Sequence, residues 1–136
     1  MAKHTLNTND FSISLELEIF EEDIMYPSNT AMSVYVASDG FSAVSDMDID
    51  VKQFVLFSTN LKTIYDNLSG SAIIQEPYGY HKYISFSSSK NGHILVKGYL
   101  CDILKENEIF FSNSFDQTFL KEFANELYYS YSKYSL

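Results

Sequence analysis

A strict alternation of apolar and polar residues near the start of the chain limits the fold more than any other feature. In FSISLELEIF, residues 11–20, serines and glutamates separate successive large apolar residues. Neighbouring side chains of a β-strand point to opposite faces, so this pattern predicts a strand with one buried face and one solvated face. The chain must therefore build a sheet that covers a core on one side.

Two more strands are predicted before the first helix. AMSVYVA, residues 31–37, predicts the second strand, and Asp39-Gly40 predicts a hairpin turn. The third strand begins at Phe41 and contains aspartates at every second position, Asp46, Asp48 and Asp50. From Asp50 onward the apolar residues recur at steps of three and four, which predicts a helix capped by Asp50 and ended near Gly70.

The second half of the chain predicts strands again. SAIIQ, residues 71–75, is followed by a hairpin with a three-residue Lys90-Asn91-Gly92 loop, because that register pairs Phe86 with Val96 and keeps the apolar face aligned. NEIFFSNSF and a final helix capped by Ser114 or Asp116 complete the chain. We expect an α+β fold over residues 1–136 as one domain, mainly antiparallel sheet with about seven strands (order βββαββββα) and two helices packed on it.

The alternating aspartates permit three interpretations. An EF-hand calcium loop is excluded, because that motif needs glycine at Val51 and glutamate at Phe57. A solvated strand face with Asp50 as a helix cap, an acidic surface for a partner, and a metal site all remain open. Neither a histidine nor a glycine-rich phosphate loop accompanies the series in the sequence.

One further pair of residues has chemical potential. The preferred hairpin register extrapolates to Cys101 opposite His81, and cross-strand neighbours lie close enough for a thiol and an imidazole to interact. A lone cysteine is more often a small passive residue, and the sequence offers neither a cysteine-pair metal motif nor a third orienting residue. His4 and His93 are predicted to be solvated.

Charge narrows the classes of partner. The chain has 18 acidic residues against 9 lysines, with a net charge of −9 and no arginine. Such a surface repels nucleic acids and anionic membranes and attracts basic proteins. The N-terminus lacks the apolar run of a signal peptide, and no apolar stretch is long enough to cross a membrane, so a cytoplasmic protein is expected.

Several segments, taken in order, resemble the WapI-type family of bacterial immunity proteins. They are the alternating strand FSISLELEIF, the spaced helix from Phe54 through Ala72, Glu76-Pro77, GHILVKGYL and FDQTFLKEF with its Asp116, Thr118 and Leu120. The resemblance implies a non-enzymatic bacterial protein without a cofactor, which binds and neutralises a cognate toxin, in that family a nuclease-type effector. The tryptophan that the family often has in the second strand is replaced here by AMSVYV.

An acidic inhibitor can occupy the basic, phosphate-binding surface of a nuclease. The candidate partner-binding residues are Glu16, Glu18, Glu21, Glu22, Asp23, Asp46 and Asp48. Two alternatives stay open: a phage-type inhibitor of a host defence nuclease, and a small-ligand-binding module or enzyme that uses Cys101 and His81.

Overall fold

The computed structural model describes residues 2–135, which form two antiparallel four-stranded sheets and two helices. The first sheet contains, in spatial and chain order, β1 (Lys3–Asn7), β2 (Phe11–Ile19), β3 (Thr30–Ser38) and β4 (Phe41–Ile49). The second contains β5 (Ser71–Gln75), β6 (Tyr83–Ser88), β7 (His93–Cys101) and β8 (Glu108–Asp116). The helices are α1 (Val51–Asn67) and α2 (Leu120–Tyr131), and single 3-10 turns cover Glu21–Asp23, Lys90–Gly92, Gln117–Phe119 and Ser132–Tyr134. The predicted α+β class and antiparallel pairing are confirmed.

The strand count exceeds the predicted seven because β1 is an additional strand at the N-terminus. Its short sequence KHTLN turns only His4 and Leu6 inward, so a polar residue interrupts the apolar alternation. The prediction that His4 is solvated was wrong, since its side chain is buried. Its Nδ1 lies 2.5 Å from a carboxylate oxygen of Glu126, and its Nε2 lies 2.8 Å from the Tyr131 hydroxyl. These contacts attach β1 to α2.

The core lies between the inner faces of both sheets and the two helices. The Phe86 ring of β6 lies 6.0 Å from that of Phe57 in α1 and 6.3 Å from that of Phe123 in α2. Phe11 of β2 stacks on Phe111 and Phe115 of β8, which joins the two sheets. Aromatic rings dominate these contacts because each buries a large apolar area. None of the helices within residues 2–135 is long and apolar enough to cross a membrane.

The predicted hairpin turn, the cap of α1 and the strand register are formed where the sequence placed them, but the predicted cap of the final helix is not. The Asp116 carboxylate accepts from the Thr118 N–H and begins the 3-10 turn Gln117–Phe119, whereas α2 starts at Leu120 without a side-chain cap, and Ser114 lies within β8. Asp39 and Gly40 both have positive φ angles, as a two-residue hairpin turn requires. The Asp50 carboxylate accepts a hydrogen bond from the Lys52 N–H and begins α1. Phe86 pairs with Val96, as predicted from the three-residue loop.

Candidate partner-binding surface

The first sheet brings four of the predicted acidic residues onto one outer face. In the pairing register, Glu16 of β2 and Asp46 of β4 both lie opposite Ser33 of β3, while Glu18 and Asp48 both lie opposite Ala31. The Ser33 hydroxyl donates a 2.9 Å hydrogen bond to the Asp46 carboxylate. Because two strand spacings amount to ~10 Å, the four carboxylates form a patch at one end of this face.

The other three predicted acids follow β2 in the 3-10 turn Glu21–Asp23. All three side chains are exposed, and they continue the chain directly beyond Glu18. The Glu21 carboxylate accepts a 2.9 Å hydrogen bond from the hydroxyl of Tyr134, in the 3-10 turn that follows α2. This hydrogen bond raises the pKa of Tyr134, and burial adds to the effect. Glu21 is therefore directed towards the C-terminal turn, whereas Glu22 and Asp23 make no described side-chain hydrogen bond within residues 2–135.

Asp50 has a structural role separate from that of Asp46 and Asp48. Its carboxylate accepts from the side-chain amide of Asn29 as well as from the first turn of α1. Asn29 is fully buried, and its side-chain amide oxygen accepts from the Val51 N–H at 2.9 Å. Asn29 and Asp50 together fix the loop after β2 to the start of α1. The sequence gives no signal of this role, because the partners of Asn29 at Asp50 and Val51 lie more than 20 positions away.

The free edge of β4 is closed at its acidic end by two buried charged residues. The Lys82 ammonium donates to the backbone carbonyl of Asp46 and, at 3.3 Å, to the Ser45 hydroxyl. The Glu76 carboxylate accepts from the Asp48 N–H at 3.1 Å and from the Lys82 N–H at 3.3 Å. Both side chains are less than one-tenth exposed. The segment between β5 and β6 thus pairs the outward carbonyl of Asp46 and the outward N–H of Asp48.

The same edge is open at Ser42 and Val44. The hairpin turn pairs Ser38 with Phe41. In this register the backbone N–H and C=O groups of the odd-numbered residues of β4 bond to β3, and those of the even-numbered residues point away from β3. The contacts of the Asp46 carbonyl and the Asp48 N–H confirm this orientation. The backbone groups of Ser42 and Val44 therefore face outward, and they have no described hydrogen-bond partner within residues 2–135.

Two connected grooves run along this edge of β4. One, of about 410 Å³, lies between residues 41–45 of β4 and the ends of β7 and β8. The second, of about 790 Å³, continues past Asp46 and Asp48 towards the β7–β8 turn. Both grooves are bordered by Val44, Ser45, Cys101 and Asp102. At the far side, the Ser45 hydroxyl donates to the Cys101 carbonyl at 2.9 Å, which holds β4 against β7.

Large apolar side chains are exposed along these grooves. Phe41 and Val44 line the smaller groove and are 72% and 68% exposed. Ile103 and Leu104 in the β7–β8 turn line the larger groove and are 84% and 73% exposed. A cluster of this kind, bordered by charged residues, is typical of a protein-interaction site.

The β7–β8 turn is ordered by Asp102. A 2.7 Å hydrogen bond from the Asn107 side chain lowers the pKa of the Asp102 carboxyl, and the Glu106 N–H contributes a second bond. The turn is also held by the Tyr80 hydroxyl, which donates to the Ile103 carbonyl at 2.8 Å. Ile103 and Leu104 therefore project from a turn with a defined conformation.

Cys101 and His81 do not form the pair that the register suggested. The ladder between β6 and β7 stops at Tyr83 opposite Tyr99, and His81 precedes it with a φ angle of 61°. His81 is exposed, whereas Cys101 is buried and borders the grooves without it. The extrapolation failed because β6 begins only at Tyr83, so His81 lies outside the strand. The prediction that His93 is solvated was correct, since its side chain is exposed.

Tyr99, two residues before Cys101, has a buried hydroxyl with no hydrogen-bond partner in the described part of the chain. Burial raises the pKa of this hydroxyl, and the neighbouring Cys101 and Glu108 raise it further. The phenol therefore remains protonated at neutral pH. Across residues 2–135, no group of three or more histidine, cysteine, aspartate or glutamate side chains is arranged to hold a metal ion.

The chain with this grooved and acidic surface matches a known protein family. The model of the immunity protein WapI-like family matches residues 5–135, which is nearly the whole chain. This protein therefore belongs to the WapI-like immunity protein family. A search of curated proteins finds no match to it.

Proposed function

We propose that this protein is a non-enzymatic inhibitor that neutralises one cognate toxin by binding to it directly. Membership of the WapI-like immunity family is the observation that carries the proposal. The chain would act as one immunity domain over residues 1–136, in the cytoplasm of the bacterium that makes it. Neither a cofactor nor catalysis is required, because an inhibitor acts by occupying the toxin's surface.

The acidic character of the chain supports a nuclease as the toxin. A nuclease holds phosphates with a basic surface, and the outer face of the first sheet carries four carboxylates within a short distance of one another. Opposite charges accelerate association and position the partners before the short-range contacts form. The proposed set of contacts is Glu16, Glu18, Glu21, Glu22, Asp23, Asp46 and Asp48. Of these, Asp46 and Asp48 line the larger groove together with the exposed Ile103 and Leu104.

Coexpression with the product of the adjacent open reading frame tests this function. We expect the adjacent product to stop growth when expressed alone, and growth to be restored by this protein. The purified pair should form a stable complex, measured by isothermal titration calorimetry, that lacks nuclease activity. If the adjacent product is toxic and the protein neither binds it nor restores growth, the proposed function is wrong.

A further inference from the structure

We propose that the partner adds an extended segment as a new strand to β4, pairing with the backbone of Ser42 and Val44. This inference rests on the proposed function, because the segment belongs to the toxin. An added strand obtains its affinity from main-chain hydrogen bonds and its specificity from the side chains on either side of it. The segment would lie in the groove of about 410 Å³ beside β4.

The two halves of the β4 edge are the first argument. An unpaired strand edge invites pairing with another chain, and proteins usually cover such edges. Here Lys82 binds the Asp46 carbonyl and Glu76 binds the Asp48 N–H, while Ser42 and Val44 keep outward-facing N–H and C=O groups. The fold therefore covers the half of the β4 edge at Asp46 and Asp48 and leaves open the half that borders the smaller groove.

The walls of the smaller groove are the second argument. Phe41 and Val44 on one side and the partly exposed Ile109 on the other provide apolar contacts for alternate side chains of an inserted strand. Ile103 and Leu104 extend this apolar surface along the larger groove. Desolvating exposed groups of this size supplies binding free energy beyond that of the main-chain hydrogen bonds.

The charges along both grooves identify the chemistry of the segment. The grooves are lined by five carboxylates, those of Asp46, Asp48, Glu76, Asp102 and Glu108. The lysine that lines them is Lys82, and its ammonium is already bound to the β4 backbone. A segment that alternates basic and apolar side chains matches both the carboxylates and the apolar walls. A second copy of this chain is disfavoured, because each copy carries a net charge of −9 and would repel the other.

Two substitutions at one position separate the backbone contribution from that of the side chain. Val44→Pro removes the outward N–H, and proline is tolerated at such positions of an edge strand. Val44→Ala shortens the same side chain and keeps the N–H. With the adjacent open reading frame's product as the probe, we expect Val44→Pro to weaken binding by about tenfold or more beyond Val44→Ala. Circular dichroism and urea titration of both variants check that the fold is retained.

A second measurement needs no variant and no toxin. A short synthetic peptide of alternating lysine and valine is titrated into the full-length protein, and amide chemical shifts are followed by NMR. We expect saturable shifts at Ser42 and Val44, and none with the matched peptide of alternating glutamate and valine. This result supports strand addition even if the adjacent product proves not to be a toxin.

Three outcomes would overturn the inference. Equal toxin affinity of Val44→Pro and Val44→Ala, both folded, would leave the proposed function intact but remove β4 as the binding edge. Peptide-induced shifts at Phe110 and Ser112 of β8, an edge strand of the second sheet, with Ser42 and Val44 unaffected, would place the added strand on β8. A concentration-dependent dimer of the free protein that involves Val44 would show that a second copy occupies the edge.

Discussion

The two halves of β4 differ although they belong to one strand. The half at Asp46 and Asp48 is acidic on its outer face, and its backbone is covered by side chains from the β5–β6 segment. The half at Ser42 and Val44 is less polar, and its backbone groups face an open groove. Covering one half limits unspecific pairing of the edge, while the open half keeps a short stretch available for a chosen partner.

The covering groups are costly to bury, which gives them a testable role. A buried ammonium and a buried carboxylate are tolerated only where hydrogen bonds satisfy them. Lys82 and Glu76 have such bonds to β4, and they connect residues more than 25 positions apart in the chain. The difference between the two halves therefore depends on these two side chains.

The largest effect is expected from Glu76→Ala. Losing both backbone hydrogen bonds of this buried carboxylate should lower the free energy of unfolding by about 3 kcal/mol. Urea denaturation measures the change. Glu22→Ala, which removes an exposed glutamate, serves as the control and should stay within ~0.5 kcal/mol of the wild type. Equal stability of the two variants would mean that Glu76 does not hold the edge.

Lys82→Met should have a smaller effect of about 2 kcal/mol, because the apolar stem is retained while the Asp46 carbonyl loses its donor. The same urea titration measures it. The substitution should also leave Asp46 and Ser45 available to solvent, which would extend the open half of β4. A stabilised Lys82→Met variant would contradict this account of the closed half.

Reversing the charge of the acidic half tests its role in association. The double substitution Asp46→Lys and Asp48→Lys should slow toxin association by about tenfold at low ionic strength and reduce its salt dependence. Stopped-flow fluorescence with the adjacent open reading frame's product measures the rate. The control is Asp10→Lys together with Glu122→Lys, two exposed positions outside the proposed contact set that change the net charge by the same amount. An unchanged rate at low salt would remove Asp46 and Asp48 from the interface.

The smallest effect is expected at Asp102. Its pKa in the folded protein lies below the ordinary value of 3.8, because the Asn107 side chain and backbone N–H groups bind the charged form. Its contribution to stability is therefore complete above the unfolded-state pKa and is lost as pH falls through the folded-state value. Asp102→Asn should lower stability at pH 6, and the difference from wild type should shrink below pH 4. A difference that stays constant across this range would contradict the linkage.

Most of the fold could be predicted from local sequence patterns. The alternation of β2, the Asp39-Gly40 turn, the Asp50 cap and the loop at Asn91 all depend on neighbouring residues, and each is found in the structure. β1 was missed because His4 occupies an inward position, and its partners Glu126 and Tyr131 lie at the other end of the chain. A buried histidine satisfied by such distant groups leaves no local pattern.

The site was predictable only in part. The alternation of Glu16, Glu18, Asp46 and Asp48 indicated an outward acidic face, but bringing them into one patch required the strand order. The closed edge could not be predicted, because Lys82 and Glu76 have no sequence signal that relates them to β4. The groove arises from the way the two sheets meet, which depends on packing between distant residues rather than on any segment alone.

Amide hydrogen exchange at three positions of β4 tests the central claim most directly. In the free protein, we expect the Asp48 amide to exchange more slowly than those of Ser42 and Val44 by about tenfold or more, because Glu76 accepts its hydrogen bond. In the complex with the toxin, Ser42 and Val44 should become as protected as Asp48. Fast exchange at Ser42 and Val44 in a saturated complex would contradict the account.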